Sequence, residues 1–340
     1  MRVLVDAFGG DNAPKVVIEG CVRATELNKN VLITLVGKQD VIKEQLSKCY
    51  NGSNIEILNA NDVISNEDHP VEAIRTKKDS SMVKGLETLA KDNNYCAFVS
   101  AGNSGALLTG AFMIVKRIKG VSRPAMCPEV PTVTGGTVLL VDCGANADCK
   151  PENLCHFALM ADAYSKVVLN KTDVKIALLS NGTEEGKGNE LTKASYDMLK
   201  QLNINFVGNI EAREILDGGV DVVVTDGYTG NIALKAAEGM AKSIFTLLNQ
   251  NIHEGGLRAK LGALLLKPSL RKVKHTLDYN QNGGACFVGV EKIVMKVHGS
   301  ASGESIAKTI LKANEMAEKN IIEKIKLAVD SNSLKVASDK

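Results

Sequence analysis

The stretch Ser100-Ala-Gly-Asn-Ser-Gly-Ala-Leu-Leu-Thr-Gly-Ala111 follows an apolar run, Tyr95-Cys-Ala-Phe-Val99, and leads into a helical pattern. At such a strand-to-helix junction the unpaired N–H groups of the first turn and the positive end of the helix dipole point at one spot. Glycines let a ligand approach the backbone, so the segment reads as a phosphate site. Three further junctions share this character: Val5-Asp-Ala-Phe-Gly-Gly-Asp-Asn-Ala-Pro14, Gly182-Thr-Glu-Glu-Gly-Lys-Gly-Asn-Glu190 and Thr225-Asp-Gly-Tyr-Thr-Gly-Asn-Ile232. In an open parallel sheet the carboxyl ends of the strands share one edge, where loops far apart in sequence converge on a ligand.

Other chemistries fit less well. Gly182–Gly188 is one residue short of a nucleotide P-loop, and Gly188 stands where Ser or Thr would hold magnesium. Lys187 remains suited to bring positive charge to a phosphate or a developing oxyanion. The first loop lacks the Gly-x-Gly-x-x-Gly spacing of dinucleotide sites. No Gly-x-Ser-x-Gly elbow is present, and Ser104 lies in an Asn-Ser-Gly context with no sequence sign of a His partner. The eight cysteines form no Cys-x-x-Cys pair, and Cys143, Cys149 and Cys155 have no His at a zinc spacing. They read as reduced core residues, with neither metal nor cofactor expected.

The elements that must position these loops follow from hydrophobic periodicity. Short β-branched runs at Val3–Asp6, Val31–Val36, Ile55–Leu58, Ala97–Ser100, Val138–Asp142, Ile176–Leu179, Asn205–Val207 and Val220–Thr225 alternate with helical patterns. Helices are expected near 13–28, 39–48, 70–92, 104–118, 152–168, 188–202, 211–217, 229–253 and 303–328. The alternation predicts an α/β fold, a three-layer α/β/α sandwich with a mostly parallel, Rossmann-like sheet. A single catalytic domain over 1–329 is expected, with a helical hairpin extension at about 229–277 and a polar, frayed tail at 330–340.

The 340-residue chain carries 41 basic and 39 acidic side chains, a net charge of +2, which argues against general nucleic-acid binding. No Trp and only 4% aromatic residues leave little for base stacking. A strand begins at Arg2 and no run of about 18 apolar residues occurs, so a cytoplasmic protein without leader or spanning helix is expected. Within 229–253, Ala236, Met240, Ile244, Leu248 and Ile252 form one row and Ala233, Ala237, Ala241 and Phe245 another. So wide a stripe suits either its own sheet or a homodimer contact. Beyond it, Leu257, Leu261, Leu264 and Leu265 lie among Arg258, Lys260, Lys267, Arg271, Lys272 and Lys274. This mixture suits an anionic membrane surface or an acidic protein, and equally a solvated hairpin or subunit contact.

Taken in order, Val5–Lys15, Ser100–Leu107, Asp142–Asp148 with Lys150-Pro-Glu152, Gly182–Glu184 with Lys187–Leu191, Gly208–Arg213 and Val224–Asn231 resemble the bacterial phosphate acyltransferases of the PlsX family. The likeness spans nearly residues 1 to 326. It implies conversion of acyl-[acyl-carrier-protein] and inorganic phosphate to acyl phosphate and free carrier protein, at the entry to phosphatidic acid synthesis. The acidic carrier protein is then a partner, a downstream glycerol-3-phosphate acyltransferase takes the product, and peripheral membrane contact through 257–274 becomes an expectation. Lys77-Lys78, Lys116-Arg117 with Lys119, and the 258–274 cluster compete as the carrier's basic contact.

Phosphate is already an anionic nucleophile, so the enzyme has to position it against the thioester carbonyl and stabilise the oxyanion. On this reading phosphate rests on Gly102, Asn103 and Ser104, with Gly9 and Gly10 shaping the first loop. Lys187, Thr183, Thr229 and Asn231 face it, while Asp6 and Asp226 orient the donors. His298, in Val297-His-Gly-Ser-Ala-Ser302, donates to phosphate or protonates the leaving thiolate. Family members often have His where Asn12 stands, which removes any acid–base duty there. Two alternatives remain: a phosphotransacetylase-type enzyme using acetyl-CoA, and a non-catalytic membrane-docked scaffold.

Overall fold

Val3, Leu4 and Val5 are buried on both faces, as are Ala97, Phe98 and Val99, which is the pattern of parallel strands covered by helices on either side. A computed structural model describes residues 1–276 and 283–332. Its strands are β1 (Arg2–Asp6), β2 (Leu32–Gly37), β3 (Ile55–Asn59), β4 (Tyr95–Ser100), β5 (Ala125–Cys127), β6 (Glu129–Pro131), β7 (Thr137–Val141), β8 (Lys175–Ser180), β9 (Asn205–Glu211), β10 (Val222–Val224), β11 (Ala285–Val288) and β12 (Ile293–Lys296). The helices are α1 (Lys15–Leu27), α2 (Gln39–Cys49), α3 (Pro70–Thr76), α4 (Ser81–Lys91), α5 (Ser104–Gly110), α6 (Pro151–Val167), α7 (Glu190–Leu199), α8 (Gly227–Glu254), α9 (Gly256–Thr276), α10 (Gly303–Glu318) and α11 (Ile321–Ser331).

The α/β class and the mostly parallel pairing are as expected, but the strands divide between two sheets. One has the order β3-β2-β1-β4-β12-β11-β5, the other β6-β7-β10-β8-β9. β1 to β4 and β12 pair in parallel, and β11 turns back antiparallel to both β12 and β5. In the second sheet only β6 is antiparallel. The carboxyl ends of β1, β4 and β12 therefore lie together, as do those of β7, β8 and β10.

Several helices differ from expectation for local reasons. The pattern over 70–92 is two helices, because the Ser80 hydroxyl accepts from the Val83 N–H and starts α4 afresh. Helix α5 continues as a π-helical turn, Ala111–Val115, and stops at Lys116, whose φ of 73° is left-handed. The stretch 211–217 holds only a 3₁₀ turn, Ala212–Glu214. The last helical pattern breaks at Asn320, at φ 53°.

Helices α8 and α9 form the expected consecutive helical pair, with Pro268 inside α9. Beyond Gly227 and Gly230, α8 buries no residue. Positions 277–282, 333–340 and the side chains of Lys274 and His275 lie outside the described residues. No helix among the described residues is long and apolar enough to cross a membrane. The cysteines are free thiols; six are buried, Cys149 is half-buried and Cys49 is exposed.

Candidate active site

Asp6 ends β1 and is buried beneath the loop that follows β4. Its Oδ2 accepts from the Ser100 hydroxyl at 2.7 Å, and its Oδ1 accepts from the Phe8 N–H at 3.2 Å. Ser100 Oγ in turn accepts from the Gly102 N–H at 3.0 Å. Burial pushes the Asp6 carboxyl up, against hydrogen bonds from Ser81 and Ser100 and the nearby Lys296 charge. Asp6 thus braces the glycine-rich loop from behind.

Close approach explains the first glycines. A Cβ on Gly9 would lie 2.6 Å from the Gly102 nitrogen, and one on Gly10, at φ 100°, 2.9 Å from the Gly299 carbonyl. Three loops, after β1, β4 and β12, meet at this point. The Asp11 N–H donates to the Gly299 carbonyl at 2.8 Å, closing the contact.

The facing wall comes from the second sheet. Asp142, fully buried after β7, accepts from the N–H groups of Met126, Ala145 and Asn146 and from the Asn146 amide, at 2.7 to 3.1 Å. The Met126 bond ties the two sheets together, since Met126 belongs to β5. Gly230 on α8 packs so tightly that a Cβ would collide with the Asp142 carbonyl. This places Asn231, the next residue, beside Gly144.

Between these walls lies a cavity of about 480 Å³. Gly102, Ser104, Asn231 and His298 line it, so four of the sequence-derived candidates come together. Leu108, Met126, Leu234 and Phe287 supply an apolar side, and Asp11, Lys235 and Lys296 add charge. His298 is exposed, with Nδ1 2.9 Å from the Ser300 hydroxyl. The Glu238 and Glu129 carboxylates on the cavity wall are paired, with Lys235 at 2.8 Å and Lys312 at 2.5 Å.

Other candidates are placed differently. Lys187 and Thr183 are exposed on the loop after β8 and do not line the cavity; Thr183 borders a separate hollow with Asn209 and Asp217. Asp226 and Thr229 are committed to each other, because the Asp226 carboxylate caps α8 by accepting from the Thr229 N–H and hydroxyl, both at 2.8 Å. The Asn103 side chain caps α5 and donates to the carbonyls of Ser65, Asn66 and Asp68. Gly9, Gly10 and Asp6 sit behind the loop and shape it. Residues 257–271 lie on α9, with Leu257 and Leu265 more than four-fifths exposed.

Sequence reasoning missed Lys296, Lys235 and Asp11. Lys296 interrupts an apolar run, Ile293-Val-Met-Lys-Val297, and a lysine there signals a buried ammonium with a task. Its Nζ donates to the carbonyls of Ala101, Gly102 and Val297 at 3.0, 2.7 and 2.7 Å. Burial pulls its pKa down to about 8, with Asp6 and Asp11 opposing. Lys235 lies one turn beyond Asn231 on α8, and Asp11 sits inside the first glycine loop.

A polar, cation-bearing end beside an apolar wall can hold an anion against an acyl group. A profile described as "Fatty acid synthesis protein" matches residues 1–324. The chain is 44% identical over 327 residues to the phosphate acyltransferase of Clostridioides difficile (strain 630), covering 96% of this chain and 95% of that one. It is 46% identical over 322 residues to that of Bacillus subtilis (strain 168), covering 94% and 96%. The chain belongs to the phosphate acyltransferase family. In fold, this acyltransferase is similar to EutD phosphotransacetylase from Staphylococcus aureus, with a TM-score of 0.59, 16% identity and 94% of each chain covered. A phosphotransacetylase from Streptococcus pyogenes gives a TM-score of 0.60 at 18% identity, covering 93% of this chain and 94% of that one.

Proposed function

We propose that the enzyme transfers the acyl group of an acyl-[acyl-carrier-protein] thioester to inorganic phosphate. The observation that carries this reading is the cavity itself, where Gly102, Ser104, Asn231, Lys296 and His298 form a polar end against Leu108, Met126, Leu234 and Phe287. A phosphate oxygen attacks the thioester carbonyl, the C–O bond forms, and the tetrahedral oxyanion collapses with loss of the C–S bond. His298 protonates the departing thiolate. Ser104 and the loop N–H groups hold the phosphate, and Asn231 faces it from α8. Lys187, on the exposed loop after β8, is the candidate for supplying further charge to the phosphate. No step draws on a cofactor.

The resulting acyl phosphate, a mixed anhydride, suits consumption by a glycerol-3-phosphate acyltransferase. The chain works as a homodimer, and the exposed apolar side chains of α8 and α9 support this: Met240, Ile244 and Leu247 on one, Leu257, Leu261 and Leu265 on the other. Arg258, Lys260, Lys267 and Arg271 beside the α9 leucines favour contact with an anionic surface as well.

The decisive experiment supplies purified protein with a palmitoyl-carrier thioester and inorganic phosphate, following carrier thiol and acyl phosphate, with acetyl-CoA as a parallel donor. Phosphate-dependent loss of the carrier thioester is expected. Turnover of acetyl-CoA alone would replace this reading with a short-chain donor, and inertness toward both would leave a scaffold. Lys187→Ala is expected to lower kcat by about a hundredfold or more without loss of fold; unchanged turnover would remove its role.

A further inference from the structure

We propose that Lys296 is a positioning residue for the phosphate end of the cavity: its ammonium gathers the carbonyls of the loop after β4 on one side and so fixes the Gly102–Ser104 turn whose Ser104 N–H faces the ligand. The inference rests on the phosphate reading above and assigns a residue that the motifs do not.

Lys296 is the last residue of β12, in register with Ser100 at the end of β4. Its three N–H donors are matched by three carbonyls, those of Ala101, Gly102 and Val297. In a planar trans peptide the C=O and N–H point in opposite directions. Holding the Gly102 carbonyl on Lys296 therefore aims the Asn103 N–H the other way. The next peptide follows, because its carbonyl, that of Asn103, starts the helix by accepting from the Leu107 N–H. The N–H groups of Asn103 and Ser104 have no acceptor among the described residues. The Gly102 N–H is spent on Ser100, so the loop is pinned from both sides.

The charge state matters to this clamp. Asp6 from β1, Asp11 from the loop after it and Lys235 from α8 act on the ammonium, and His298 on the adjoining loop, Glu238 on α8 and Glu129 on β6 line the same cavity. A neutral amine keeps two N–H donors, so deprotonation frees one carbonyl and removes the charge that orders the others. Burial already brings that event to about 8. Phosphate binding should therefore weaken as pH rises through that value, while thioester binding does not.

Steady-state kinetics of the wild type, K296R and K296M with an acyl-carrier thioester and inorganic phosphate, from about pH 6.5 to about pH 9.5, test this. Variant-to-wild-type ratios at each pH cancel the titration of phosphate itself. K296M is expected to raise the phosphate KM by about thirtyfold, with the thioester KM changed by less than about twofold. In K296R, whose guanidinium stays charged, the alkaline rise in phosphate KM should vanish. A wild-type phosphate KM in folded K296M, or an alkaline rise shared by K296R, overturns the proposal. Should K296M fail to fold, the K296R profile alone decides. Active wild type with indifferent variants overturns this inference only, whereas an inactive wild type overturns the underlying reading with it.

Discussion

The contact between Gly9 and the Gly102 nitrogen makes a single methyl group informative. A Cβ at 2.6 Å from backbone cannot be accommodated by a rotamer change, so Gly9→Ala must displace the loop that lines the cavity. A loss of about 2 kcal/mol in stability is expected, with kcat/KM reduced at least about tenfold, as read by chemical denaturation and kinetics. His156 shows a different residue-scale effect. It is fully buried, its Nδ1 lies 2.9 Å from the Ser122 hydroxyl, and burial holds its pKa below the usual imidazole value. The unfolded chain therefore binds the extra proton first. Stability is complete above about pH 6.5 and falls as pH drops below it, by up to about 1.4 kcal/mol per pH unit. Unfolding of His156→Gln should lack that contribution; an identical pH slope would refute it. Gly102, Ser104, Asn231 and His298 were legible because they sit in or beside glycine-rich strand ends. Lys296 was not, since its role depends on carbonyls nearly two hundred residues away in sequence.

Among the elements, the strands that alternate with helices were legible, down to the three-residue β10, and the short strands that pair antiparallel were not. β5 and β6 have three residues each, and β11 and β12 four, too few for alternation to show against neighbouring loops. Hidden with them was the division into two sheets. The wide apolar stripe on α8 was visible, and the structure leaves Met240, Ile244 and Leu247 more than half exposed. Replacing all three with serine should shift the chain toward monomer in sedimentation velocity while leaving its far-UV spectrum intact. A wild-type sedimentation coefficient would instead remove this face from the subunit contact. The apolar–basic face of α9 belongs to a separate test: Leu257, Leu261 and Leu265 changed to asparagine should weaken binding to anionic vesicles about tenfold or more.

For the whole molecule, the joint between the sheets is the decisive feature. Glu129 on β6 meets Lys312 on α10 at 2.5 Å, and the Tyr164 hydroxyl of α6 donates to the same carboxylate oxygen at 3.0 Å. The Glu129 and Lys312 side chains are only 8% and 12% exposed, so removing one takes the ion pair from a largely buried charge. Lys312→Met should cost about 3–5 kcal/mol in equilibrium unfolding, and pairing it with Glu129→Leu should restore most of that. No recovery in the double variant would mean that the pair is not coupled. That joint was beyond sequence reading, because each partner looks like an ordinary surface charge.

The burial of the cysteines has a practical side. Acyl transfer from a carrier would liberate a thiol, and six of the enzyme's own thiols are shut away, with burial raising that of Cys286 to about 12. A thiol-reactive dye added to the native protein should therefore register a background chiefly from Cys49. With Cys49→Ser that background falls away, and the colour that develops counts turnovers one by one.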